Sequence, residues 1–288
     1  MLRLLAIDID GTLLDSRGQI PAGHAQALAS ASARGTRVAL VTGRSLHFTR
    51  HVADALPLPV TLVVNNGALV KTPDGGTALR RPLDRETARA ILDGTRAHET
   101  SVAVVVDRDP RLDEGPHVLF EHMDWTHPHR RGYYERNRAF IGRAAPLAEA
   151  LAEDPLEVLF TGFVAPMRAV AEAVRRLPVA DRVSVALTEY EHRDFSLVDV
   201  NAAGCSKGDT LARWTAALGL TRDEVMAVGD NLNDLDMLQF AGTPVVMGNA
   251  ADTLKQHGFH VTATNDEDGL AAAIHRFILT PDGHVARP

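Results

Sequence analysis

Short apolar runs alternate with helical stretches along the first third of the chain. Residues 3–8 (RLLAID) read as a buried strand. Pro21–Arg34 (PAGHAQALASASAR) read as an Ala-rich helix with Pro near its first turn, and Gly35 ends it. Residues 36–42 (TRVALVT) follow as a second strand, Ser45 caps a helix running to about Ala55, and 60–67 (VTLVVNNG) form a third strand that stops at a turn. Strands without polar alternation, spaced by helices, predict βαβ units and a parallel sheet.

The last third repeats the pattern. SKGDTLARWTAALGL is predicted helical, EVMAVGD a strand, NDLDMLQFA a helix, TPVVMG a strand, ADTLKQHG a short helix, HVTAT a strand and DEDGLAAAIHRFIL the closing helix. The end of the chain, TPDGHVARP, lacks apolar anchors, so a mobile tail is expected over 280–288. The middle, Pro82 to Tyr190, differs. It mixes helical pieces (DRETARAILDGTRAH, APMRAVAEAVRRLP) with β-type runs (SVAVVVD, LEVLFTGF, RVSVALTE). The fold class expected is therefore α/β: a doubly wound parallel sheet formed by 1–82 and 191–288, with a separate α+β domain inserted as 83–190. At 288 residues the chain is long for one core, which favours the same division.

Composition narrows the class without changing it. The chain is 45% hydrophobic and 23% charged, as in ordinary globular proteins. No apolar run approaches the roughly 20 residues of a membrane span, so no membrane partner is expected. A formal charge of −7 without a basic stripe argues against nucleic acid. A single cysteine, Cys205, and no signal-peptide layout before the first strand point to a reducing cytoplasm. Oligomeric state is not legible. Lys71, Lys207 and Lys255 are the only lysines, so a lysine at a strand–helix junction stands out.

Four polar clusters close or follow the outer strands: Asp8-Ile9-Asp10-Gly11-Thr12, Thr42-Gly43-Arg44, Lys207 in CSKGDT, and Gly229-Asp230-Asn231-Leu232-Asn233-Asp234. The C-terminal ends of parallel strands share one crevice, so these distant residues are expected to converge. Asp8, Asp10, Asp230 and Asp234 together would repel one another. A hard divalent cation resolves that conflict, and oxygen-only ligands with room for water and phosphate select Mg²⁺. An aspartate needs no base to act as a nucleophile at neutral pH; its difficulty is the like charge of a phosphate. Mg²⁺ and the Lys207 ammonium would offset that repulsion. Asp8 is then the nucleophile, Asp10 the proton donor and acceptor, and the Thr42 hydroxyl with the Gly43 backbone a phosphate grip.

The ordered set DIDGTLL, VTGRS, CSKGDTL and GDNLNDLDML resembles the haloacid dehalogenase superfamily, and within it the Cof-type phosphatases with a large α/β cap inserted between the second and third motifs. NNGALV (65–70), AGTPVVMGNA (241–250) and HVTATNDEDGLAAAI (260–274) extend the likeness over the chain outside the cap. The resemblance implies Asp8 as nucleophile and Asp10 as acid/base. It implies Mg²⁺ held by Asp8, the Asp10 carbonyl and Asp230 with Asp234 in support, and phosphate held by Thr42, Gly43, Lys207 and Asn233. Arg44 and the Asn65-Asn66 turn would face the cap opening. LVDVNAAGCSKG departs from the usual pattern: Asp199 and Asn201-Ala202 stand where similar proteins carry an acidic residue and a Pro-containing turn.

Plainer readings exist for each feature. Asp8 and Asp10 alone would be a solvated strand end, Lys207 an exposed first helical turn, and Asp230 and Asp234 an N-cap and a first-turn acid. His, Arg and aromatic residues crowd 121–138, which reads as a charged surface loop, with His127 and His129 as a weak metal pair. Cys205, Met226, Met237 and Met247 read as packing. The function expected is a Mg²⁺-dependent phosphomonoesterase acting on a small phosphorylated metabolite, either a sugar phosphate or a phosphorylated cofactor. A phosphomutase of the same superfamily and a phospho-receiver signalling module are the alternatives; the Asp-x-Asp spacing and the large insertion speak against the receiver.

Overall fold

The computed structural model describes residues 1–108, 115–123, 134–135 and 137–280. Most of the 121–138 stretch, including His127 and His129, and the tail beyond Thr280 lie outside these residues. The chain forms two compact units. One comprises Met1–Thr42, Thr49–Ala78 and the chain from Ser206; the other comprises Gly43–Phe48 and Leu79–Cys205.

The elements of the first segment are β1 (Leu4–Ile7), α1 (Ala22–Ala33), β2 (Arg37–Val41), α2 (Leu46–Asp54), β3 (Val60–Val64), β4 (Leu69–Lys71) and β5 (Thr77–Arg80). The inserted segment adds α3 (Arg85–Thr95), β6 (Ser101–Val105), β7 (Val118–His122), β8 (Ile141–Arg143), α4 (Leu147–Ala150), β9 (Glu157–Gly162), α5 (Val164–Arg175), β10 (Val183–Tyr190) and β11 (Phe195–Ala202). The last segment holds α6 (Lys207–Ala217), β12 (Val225–Gly229), α7 (Leu235–Phe240), β13 (Thr243–Val246), α8 (Asp252–Lys255), β14 (His260–Val261) and α9 (Gly269–Ile274).

The expected doubly wound α/β sheet is present, in the order β14-β13-β12-β1-β2-β3-β4-β5. The first six of these strands run parallel, and β4 is antiparallel to β3. Leu4–Ile7 and Val225–Val228 are buried throughout, as a strand covered on both faces requires. Met226, Met237, Met247 and Cys205 are buried as read from the sequence. The chain winds from β1 toward β3 in one direction and from β12 toward β14 in the other. The order therefore reverses at the β1/β12 pair, where open α/β sheets place their crevice.

The second unit is a six-stranded sheet ordered β10-β11-β9-β6-β7-β8. One face carries Val104, Val158, Phe160, Val198 and Val200, which bury against Ile91 and Leu92 of α3, Leu147 of α4, and Met167, Val170 and Val174 of α5. The sequence boundary at 190/191 and the structural one at Cys205/Ser206 differ by one strand. β11 pairs with β10 and β9 and so belongs to the inserted sheet. Its alternation is masked by polar residues, because Asp199 and Asn201, which alternate with Val198 and Val200, are themselves buried, with Asn201 Nδ2 donating to the Leu156 carbonyl at 3.2 Å.

The loop after β1 is pinned from beneath. His24 in α1 is fully buried and its Nδ1 sits 3.0 Å from the Leu13 carbonyl, which makes Nδ1 the nitrogen that donates. Burial holds the imidazole below its usual range, against the opposing effects of the Leu13 carbonyl and the charges of Asp268 and Asp15. The sign follows: with the folded value depressed, this stability is complete above about pH 6.5 and is lost as pH falls. Urea unfolding of the wild type and His24→Gln at about pH 7.5 and about pH 5.5 should show the wild type's advantage shrinking on acidification. An advantage that grows would contradict the neutral, buried ring.

Candidate active site

Four strand ends deliver the site. Asp8 follows β1, Thr42 follows β2, Asn65 follows β3 and Asp230 follows β12, all parallel and therefore all at one edge of the sheet. Lys207 arrives differently, as the first residue of α6, where Ser206 is the N-cap and accepts from the Asp209 amide at 3.1 Å. The unusual AAG turn before it is closed by Cys205 N–H to the Ala202 carbonyl at 3.0 Å, with Arg81 donating to the carbonyls of Ala203 and Gly204.

Lys207 is not an exposed first-turn lysine. It is 1% exposed, and its Nζ lies 2.7 Å from Asp8 Oδ1 and 2.6 Å from Asp234 Oδ1. Burial pulls its pKa down, but the charges of Asp234 and Asp8 outweigh that and push it up. Asp8 is pushed up to about 7, first by burial, then by the charges of Asp234 and Asp10, with Lys207 opposing. Asp230 is raised too, by burial and by its neighbours Asp8 and Asp234. One ammonium thus serves several carboxyl groups.

Local sequence lets these groups crowd. Gly11 has φ +83°, and a Cβ there would fall 2.2 Å from Asp230 Oδ2. A Cβ on Gly229 would meet the Asp234 side chain at 2.6 Å. Asp234 Oδ2 accepts from the amides of Asp230 and Asn231, both at 3.0 Å, so the plainer first-turn reading and the charged one hold together. The N-cap of that turn is Asn231 rather than Asp230. Asp230 is held instead by the Thr12 hydroxyl at 3.2 Å.

Asp8, Asp230 and Asp234 each bring one carboxylate oxygen within 4.8 Å of the others. An oxygen-only donor set of three carboxyl groups fits a hard dication. Both Asp234 oxygens already accept from Lys207 or backbone amides, which leaves Asp8 and Asp230 as the better-placed carboxylates for an ion.

The remaining residues expected from the sequence divide. Asp10 is half-buried and close enough to raise Asp8 electrostatically. Thr42 is buried, and its carbonyl accepts from Asn66 N–H at 3.1 Å, which ties the second and third strand ends together. Asn65 and Asn66 are buried with left-handed backbones, φ 51° and 50°. Asn233 lies in the turn between Asp230 and Asp234. Gly43 and Arg44 group with the second unit, where Arg44 Nη1 is 3.4 Å from the Phe48 carbonyl. Sequence reasoning named Thr12 in its cluster without giving it a role, and passed over Asn249 and Asn265, which lie in stretches noted only for their likeness, MGNA and TATN.

Replacing Lys207 with Met should cost about 3–5 kcal/mol in urea unfolding, because it leaves buried carboxylates unpaired. The Asp8→Asn/Lys207→Met pair should recover part of that loss, since it also removes one of those charges. Additive losses would contradict the pairing.

Comparison with known proteins agrees with this geometry. The model of the haloacid dehalogenase-like hydrolase family matches residues 5–274. The 5-amino-6-(5-phospho-D-ribitylamino)uracil phosphatase YcsE of Bacillus subtilis is 29% identical, over 96% of each chain. The pyridoxal phosphate phosphatase YbhA of Escherichia coli is 28% identical, over 96% of this chain and 99% of its own. A haloacid dehalogenase-like hydrolase from Bacteroides thetaiotaomicron superposes with a TM-score of 0.80 at 23% identity, covering 96% of this chain and 100% of the other. With its motifs, its sheet and nearly its whole length accounted for, the chain belongs to the haloacid dehalogenase-like hydrolases.

Proposed function

We propose that the protein is a Mg²⁺-dependent phosphomonoesterase that hydrolyses a small phosphorylated metabolite through a phosphorylated Asp8. The observation that carries this reading is the Lys207 ammonium held between Asp8 and Asp234, with Asp230 beside them. Such a cluster is costly to bury and suits a group that must meet a phosphate.

Asp8 attacks phosphorus with one carboxylate oxygen, and the bond from phosphorus to the ester oxygen breaks. Asp10 gives its proton to the departing alkoxide. It then takes a proton from the water that attacks the phosphoaspartate, so inorganic phosphate leaves and Asp8 is restored. Lys207 offsets the charge of the phosphoryl oxygens, and Thr42, Gly43 and Asn233 position them. Arg44 and Asn66 are assigned to the same grip. Asp8, the Asp10 carbonyl and Asp230 would hold Mg²⁺, with Asp234 in support; when bound, it supplies charge neutralisation for the anionic phosphate.

The substrate class is a sugar phosphate or a phosphorylated cofactor. It is supported by relatives named for a phosphoribityl-aminouracil and for pyridoxal phosphate. Specificity is assigned to the inserted unit. No helix among the described residues is long and apolar enough to cross a membrane. A phosphomutase would share the chemistry, and dependence on a bisphosphate activator would reveal it.

With Mg²⁺, the purified protein should release phosphate from p-nitrophenyl phosphate. Asp8→Asn should lower the rate by roughly 10³-fold or more with an unchanged circular dichroism spectrum. Retention of most of the activity would remove Asp8 as the nucleophile. EDTA should stop turnover and added Mg²⁺ restore it, whereas indifference to the chelator would remove the metal.

A further inference from the structure

The loop that carries the catalytic pair is held by its carbonyls. Those of Gly11, Leu13 and Leu14 accept from Asn249, His24 and Asn265 respectively, at 2.9, 3.0 and 2.8 Å. Two of these three holders belong to one chain of amides. Asn249 follows β13, reaching the same sheet edge as Asp8 and Asp230; Met247 N–H donates to the Gly229 carbonyl and Gly248 N–H to that of Ala263, both at 3.0 Å. Asn265 opens the turn after β14 and is buried.

The orientation of the Asn249 amide is fixed by chemistry. Its Oδ1 accepts from the backbone N–H of Asn265 at 3.0 Å, so that end must be the oxygen. Its Nδ2 then faces two acceptors with two hydrogens: the Gly11 carbonyl at 2.9 Å and Asp230 Oδ2 at 3.4 Å. Thr12 holds the other Asp230 oxygen, Oδ1, at 3.2 Å. Each oxygen of this half-buried carboxylate therefore has one neutral donor, and both donors are tied to the loop that follows Asp8.

We infer that Asn249 is a positioning residue for Asp230, that Asn265 sets the direction of its amide, and that the pair tunes the affinity of the site for a divalent cation. The inference rests on the reading of Asp230 as a ligand of that cation. The 3.4 Å contact is weak as a hydrogen bond. Its value is directional: the 2.9 Å anchor on Gly11 keeps a donor aimed at Asp230. Partners behind metal ligands commonly carry 10–100-fold in affinity or activity.

The test is a Mg²⁺ titration followed by thermal unfolding of the full chain, with steady-state kinetics on p-nitrophenyl phosphate alongside. Asn249 holds the Gly11 carbonyl and the Asn265 amide, so the Mg²⁺ response of Asn249→Ala is read against its own Mg²⁺-free melting temperature. Its half-maximal thermal stabilisation should need roughly tenfold more Mg²⁺. At saturating Mg²⁺ its kcat and its KM for the ester should return to near wild-type values. Asn265→Ala should shift the Mg²⁺ midpoint in the same direction, and Asn249→Gln, which keeps the amide, should recover part of the loss. An Asn249→Ala midpoint equal to that of the wild type overturns the inference. So does a defect that persists at saturating Mg²⁺ as a raised KM, because Asn249 would then touch substrate instead of holding Asp230. A wild type whose melting does not respond to Mg²⁺ at all overturns the metal reading, and this inference with it.

Discussion

Two buried carboxylates, Asp8 and Asp234, share a single buried ammonium, and a third, Asp230, stands beside them. Charges removed from water are tolerated only when paired and hydrogen-bonded, and here the pairing is incomplete. Much of the surrounding structure answers that constraint. The sheet reverses direction at the β1/β12 pair, so that the acids meet where strand ends gather. Gly11 and Gly229 lack the side chains that would prevent the approach, and backbone amides of Asp230 and Asn231 take up one oxygen of Asp234.

The same imbalance connects structure to chemistry. A site with more carboxyl groups than ammonium groups suits a cation, and in the proposed mechanism that cation and Lys207 together let it admit a phosphate that the carboxylates alone would repel. Lys207 thus links folding to the proposed chemistry: it makes burial of Asp8 possible and places a positive charge beside the oxygen that, in the proposed mechanism, attacks phosphorus. A receiver-type signalling module shares the residue types, but the Asp-x-Asp spacing of the first strand end and the large insertion speak against it. The family match over residues 5–274 and the inserted six-stranded unit assign the chain to hydrolases instead.

The sequence was most informative where one residue type has one reason to be present. Unbroken apolar runs such as LLAI and VMAV mark strands buried on both faces, and the aspartates and lysine that follow them mark the crevice. It was least informative where tertiary context decides. β11 carries Asp199 and Asn201 on a buried face, so its alternation reads as a polar junction and the domain boundary moves by a strand. β7 and β8, the latter only three residues long, owe their strand character to neighbours in the sheet more than to their own pattern. Asn249 and Asn265 are ordinary turn residues by composition. Their role depends on hydrogen bonds across 238 and 251 positions of sequence, which no local pattern encodes.

The central claim is that the charge cluster exists to let Asp8 take a phosphoryl group. The most direct measurement is rapid acid quenching of the protein during turnover of a ³²P-labelled monoester, followed by peptide mapping. Radiolabel carried by the peptide containing Asp8, and lost on treatment with hydroxylamine, is the result the account predicts. Steady turnover with no label on that peptide, or label on any other residue, would contradict it.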